Sequence, residues 1–106
     1  MNTELLTRVR DSLPERLNTG VLMADGGFCV LGWIVLSAGY HPIAIYGSTF
    51  WVNDPEKGGS AVDVVARLCE LSTEDVRALG ELNDANPTES RVDAVRRHLD
   101  ELLASA

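Results

Sequence analysis

The sequence predicts an α+β fold, mainly α, with four or five helices packed around a central apolar helix and one small β-hairpin. Three observations predict it. The run FCVLGWIVLSA, Phe28 to Ala38, is apolar nearly all round, and a helix without a polar face is buried on every side. The segments flanking it repeat Leu and Val at the three- and four-residue spacing of amphipathic helices. Residues 43–52, IAIYGSTFWV, form two runs of strand-favouring residues around Gly47-Ser48, a pair that suits a two-residue type II′ turn. A chain of 106 residues has room for a single domain, 1–106.

The elements follow in order. Leu5, Leu6, Val9, Leu13 and Leu17 make the stripe of a first helix with Thr3 as its N-cap. Pro14 interrupts it, and Ser12 is placed to cap a new short turn with the proline in its permitted first-turn position. Gly20 ends that stretch by taking positive φ, and VLM is an extended piece leading to a turn at Asp25, Gly26 and Gly27. The apolar helix comes next, closed by Gly39. After the hairpin, NDPEKGG is a loop by composition, and Ser60 begins a helix that turns Val62, Val65, Leu68 and Cys69 inward. STED at 72–75 has the form of a capping box, with Val76, Leu79 and Leu82 following at helical spacing. NDANPT ends that helix, so Asn83 and Asp84 are expected to order the turn beyond it. A last helix from Thr88 to Ala104 carries Val92, Val95, Leu99 and Leu102 on one face and charges on the other.

Sixteen acids against nine bases give a net charge of -7, concentrated in residues 60–106, where ten acids face five arginines. Such a field repels phosphate backbones, so no direct nucleic-acid binding is expected; it suits solubility, a basic protein partner, or mimicry of DNA charge. Eight arginines and one lysine, with abundant Ala, Val and Leu, suggest GC-rich coding DNA and hence an actinobacterium or its phage. Two cysteines without framework spacing indicate reduced thiols in a cytoplasm, and the charged N-terminus MNTELLTRVRDSL is not a secretory signal. Between Asp25 and Asp54 there is no Asp, Glu, Lys or Arg. That stretch is nevertheless no membrane span: Gly39-Tyr40-His41-Pro42 breaks it, whereas a span needs about 20 apolar residues in one helix.

Cysteine chemistry is the sharpest catalytic reading. A thiol in the first turn of a helix is activated by free N–H groups, and the order Cys29, His41, then Asn83 or Asp84 matches several cysteine hydrolase arrangements. Against it, His41 precedes a proline, His98 lies on the charged last helix, and those folds use a sheet to hold nucleophile and base together. Free cysteines are more often buried, so Cys29 is assigned to the core and no catalytic residue is expected. The cysteine and histidine spacings fit no metal site, and the glycine pairs at 26–27 and 58–59 follow no nucleotide-binding pattern, so neither metal nor cofactor is expected. Trp33 belongs to the core, with an indole N–H that needs a partner. Tyr46, Phe50 and Trp51 are assigned to binding. Alternation sends Phe50 and Trp51 to opposite faces, leaving one outward for a protein partner or for a second copy in a homodimer.

FCVLGWIVLSAG with its Cys-x-x-Gly helix start, then VARLCEL, VRALGELNDAN and RVDAVRRHL, resembles a family of small uncharacterised proteins of actinobacteria and their phages. Members of that family show a cysteine at a helix start, a later Leu-or-Trp-Asn-Asp and a final helix. The resemblance covers residues 28–104 and maps onto Cys29, Gly32, Asn83 and Asp84; the hairpin segment IAIYGSTFWV matches no pattern in it. It implies the helical architecture and a bacterial or phage origin, and no activity. The expected function is that of a small, acidic, cytosolic, non-enzymatic interaction module, phage-encoded and binding a host protein. The alternatives are a small cysteine hydrolase or transferase using Cys29, and an acidic DNA mimic.

Overall fold

The structure, a computed structural model, describes residues 1–18, 23–24, 27–40, 42–46, 49–52 and 59–106, with backbone only for 23–24, 27–28, 42–46, 49–52 and Gly59. Among these residues the chain is mainly helical: α1 (Thr3–Asp11), α2 (Val30–Ser37), α3 (Ala61–Cys69), α4 (Thr73–Ala85) and α5 (Thr88–Ala104). No helix among them is long and apolar enough to cross a membrane. Met23–Ala24 (β1) pairs antiparallel with Gly27–Phe28 (β2). Pro42–Tyr46 (β3), Thr49–Val52 (β4) and Gly59–Ser60 (β5) pair antiparallel in the order β3-β4-β5, with Ile45 opposite Phe50 and Ala44 opposite Trp51. Strand pairing thus extends beyond the single ribbon expected, and Gly59, assigned to a loop, lies in β5. Gly20, Asp25, Gly26, His41, Gly47, Ser48 and residues 53–58 lie outside the described residues.

The core is one continuous cluster. Leu5, Leu6 and Val9 of α1, Val30, Ile34 and Val35 of α2, Val64, Val65 and Cys69 of α3, Val76 and Leu79 of α4, and Val92, Val95 and Leu99 of α5 are buried in it, together with Leu17. Each such aliphatic side chain contributes roughly 1.5–3 kcal/mol by leaving water. Helix α2 packs on α1, α3 and α4, whereas α5 packs on α1 and α4. The apolar helix therefore packs most extensively on three of the other helices. Leu31, Trp33 and Leu36 are only half-buried on it, so one side is less enclosed than its composition suggests.

Local chemistry explains where the elements begin and end, and corrects several expectations. The N-cap of α1 is Asn2, not Thr3: its Oδ1 accepts from Leu5 N at 3.1 Å, while its Nδ2 and backbone N–H donate to the carbonyls of Leu68 and Cys69. One asparagine thereby caps one helix and ties it to the end of another. Ser12 begins no new turn, and residues 13–18 are not helical. Instead its hydroxyl donates to Arg8 O at 2.7 Å and accepts from the indole N–H of Trp33 at 3.3 Å, giving Trp33 a partner across elements.

Helix α2 starts at Val30, two residues later than its composition suggests, because Phe28 is paired in β2 and Cys29 is the N-cap. It closes as expected, with Gly39 at φ +94. In α3 the inward face is Ala61, Val64, Val65 and Cys69; Val62 is only half-buried. Its C-cap, Glu70, adopts the left-handed conformation at φ 54, uncommon for a residue with a Cβ. Ser72 caps α4 by accepting from Asp75 N at 3.1 Å. That helix runs on to Ala85, so Asn83 and Asp84 sit inside its last turn rather than beyond it.

Candidate functional site

Three of the residues that sequence reasoning singled out for chemistry, Cys29, Asn83 and Asp84, meet where the start of α2 faces the end of α4. An α-helix begins with N–H groups that have no partner inside the helix. At α2 the N-cap side chain makes no capping hydrogen bond. The task falls to Asn83, 53 residues away, whose Oδ1 accepts from Val30 N at 3.1 Å. Asn83 is fully buried, and its Nδ2 donates to Asn18 O at 2.8 Å and to Asp84 Oδ1 at 3.0 Å. An amide NH₂ has two hydrogens, so both are used. Asn83 therefore joins three segments of chain and has no donor left for a substrate or a catalytic base.

The last turn of α4 is completed by a residue that sequence reasoning missed. Arg91 lies among the charged positions of α5 yet is buried. Its Nε donates to Asn83 O at 2.7 Å and to Asn86 O at 3.1 Å, its Nη2 to Asn86 O at 2.8 Å, and its Nη1 to Leu17 O at 2.6 Å. Asn86 Nδ2 in turn donates to Leu82 O at 2.8 Å. A guanidinium at a helix C-terminus satisfies free carbonyls and opposes the negative end of the helix dipole. The signal for it was weak. Arg91 directly precedes the buried Val92 in the first turn of α5, beside the end of the preceding helix, and only the tertiary fold shows the carbonyls waiting there.

Cys29 is buried at this junction. Burial pushes its thiol above the ordinary cysteine value; the Gly32 and Leu31 amides pull it down without reversing the effect, and the nearby Asp84 charge raises it further. A protonated thiol is a poor nucleophile. Cys69, buried in α3 with no opposing amide, is pushed up to about 12 by burial. The structure thus brings Cys29, Asn83 and Asp84 together, with the Asp84 carboxylate accepting from the Asn83 amide. His41 lies outside the described residues, and His98 sits on α5 with its Nδ1 3.8 Å from Glu101 Oε2. Among the described residues no three His, Cys, Asp or Glu side chains gather to hold a metal ion.

The binding candidates are positioned only by backbone. Tyr46 ends β3 and pairs with Thr49, while Phe50 and Trp51 are consecutive in β4, the middle strand of three; their side chains lie outside the described residues. Compared with protein-family models, curated proteins and solved structures, the chain matches none.

Proposed function

We propose that the chain is a non-enzymatic protein-interaction module of α+β architecture, working in a cytoplasm, whose β3–β4 hairpin offers Tyr46, Phe50 and Trp51 to a partner. A phage-encoded protein acting on a host protein is the setting that composition and family resemblance favour. The observation that carries the reading is the state of the chemical groups. Cys29 is buried with its thiol held protonated, and both donors of Asn83 are spent on Asn18 and Asp84. These structural roles of Cys29, Asn83 and Asp84 support a reading without catalysis. The hairpin segment remains, uncharged and rich in aromatic residues, in a chain whose net charge is -7. Aromatic side chains on a rigid ribbon give large contact area at little entropic cost.

The test replaces Phe50 and Trp51 singly by Ala and reads melting temperature, mass by light scattering, and capture of protein from host lysate. One variant should keep its stability and lose association, either with itself as a homodimer or with a partner. Two variants that both lose several kcal/mol, as core truncations do, would place both rings in the core and sink the proposal. So would two that change neither mass nor capture.

A second reading, the acidic DNA mimic, is favoured by the charge on the helical surface. All ten acids in residues 60–106 are exposed, while of the five arginines there Arg91 is buried and four are exposed. Binding through that face should weaken steeply as salt is raised, and binding through the hairpin should hardly change.

A further inference from the structure

Arg91 is held entirely by carbonyl dipoles. Among the described residues the ion pairs engage Arg8, Arg10, Arg96 and His98, and none engages Arg91. A buried cation is usually met by an anion, because dipoles alone recover only part of its lost hydration. A guanidinium has five N–H groups. The bonds to Leu17, Asn83 and Asn86 engage Nε and one hydrogen on each of Nη1 and Nη2, leaving one on each terminal nitrogen.

Arg91 also borders an open groove of about 310 Å³, together with Arg16, Leu17, Asn18 and Thr88. Among the described residues no carboxylate lines it. Arg16 reaches it from the segment after α1, whereas Thr88 and Arg91 stand three residues apart on one face of α5. Arg16 is exposed, and no described hydrogen bond or ion pair engages it.

From this we infer that the groove binds a phosphate group. Two guanidinium groups and a hydroxyl border it from two elements, the segment after α1 and the first turn of α5, and guanidinium N–H groups are well matched to phosphate oxygens. The net charge of -7 opposes any anion at long range, but salt confines that field to about 8 Å, so the groups that line the groove, two arginines among them, bear most directly on binding. Local opposition comes from Glu15 and Glu89, which border the adjoining cavity of about 250 Å³ with Arg16 and Thr88. Glu89 therefore weakens the site, and removing its charge tightens it.

The experiment titrates the ¹⁵N-labelled full chain with sodium phosphate, and in parallel with sodium chloride and sodium acetate at equal ionic strength. Phosphate should give saturating shifts at the Leu17, Asn18 and Thr88 amides and the Arg91 side chain, where the other two salts do not. Arg16→Ala, at an exposed position outside the core, should weaken binding about tenfold, the loss of a charge-assisted hydrogen bond. Glu89→Gln should strengthen it. No saturation, an equal response to chloride or acetate, or an Arg16→Ala variant that binds as tightly as the parent chain would each overturn the inference.

Discussion

The two ends of α4 solve the same problem in opposite ways. At its N-terminus Ser72 accepts from Asp75, three residues on, and the cap is complete within one turn of chain. At its C-terminus the free carbonyls are met by Arg91 from the next helix, and the same turn sends Asn83 across to α2, 53 residues away in sequence. The first end is a local device, worth about 1 kcal/mol in typical proteins. The second is a junction at which α2, α4, α5 and the segment after α1 meet, so removing one member strands groups on several elements at once.

The largest effect should follow from Arg91→Met, which keeps bulk but leaves the Leu17, Asn83 and Asn86 carbonyls short of donors. It should cost about 3–5 kcal/mol, read from the urea midpoint at unchanged slope. A loss as small as that of an ordinary surface substitution would show that water replaces the guanidinium without penalty. Asn83→Ala should cost about 2–3 kcal/mol, since it removes the partner of Val30 N–H in a buried setting and the hydrogen bond to Asn18 C=O. Combined with Arg91→Met it should cost less than the sum, because both act on one junction; strict additivity would separate them. Ser72→Ala should cost about 1 kcal/mol and be additive with either, as expected for a cap that touches nothing at the other end. Coupling between Ser72 and Asn83 would erase the contrast between the two ends.

The same contrast explains what was legible in the sequence. The N-cap at Ser72, the closing role of Gly39, the start of α5 at Thr88 and the inward Val92, Val95 and Leu99 all rest on spacings of a few residues, and each is found where its pattern placed it. The misassignments share a different cause. Asn83 and Asp84 read as helix-ending residues because their side chains commonly bond nearby backbone, but the Asn83 amide is engaged elsewhere and no longer competes with its own helix. Ser12 read as the start of a turn, yet its hydroxyl serves the end of α1 and the Trp33 indole. Arg91 read as surface charge because nothing in α5 shows that another helix ends against it. Of the candidate site, Cys29, Asn83 and Asp84 were grouped in the sequence within a catalytic alternative that also names His41, which lies outside the described residues. Their roles were not legible, since those depend on which hydrogen bonds the fold has already used.

The hydrogen bond from Val30 to Asn83 has a kinetic corollary. The Val30 amide is the first of α2, a position that in most helices exchanges with solvent freely because nothing in the helix covers it. Here it is covered only while the end of α4 is docked, so its deuterium exchange measures the opening of a contact between distant parts of the chain rather than fraying of one helix end. If docking of α4 on α2 belongs to the last cooperative unit to open, Val30 should exchange as slowly as the core amides of Ile34 and Val35. Closing a loop of that length is also a slow, non-local event compared with forming a turn. Protection at Val30 in a refolding experiment should therefore appear after that at Asp75, whose partner is the N-cap of its own helix.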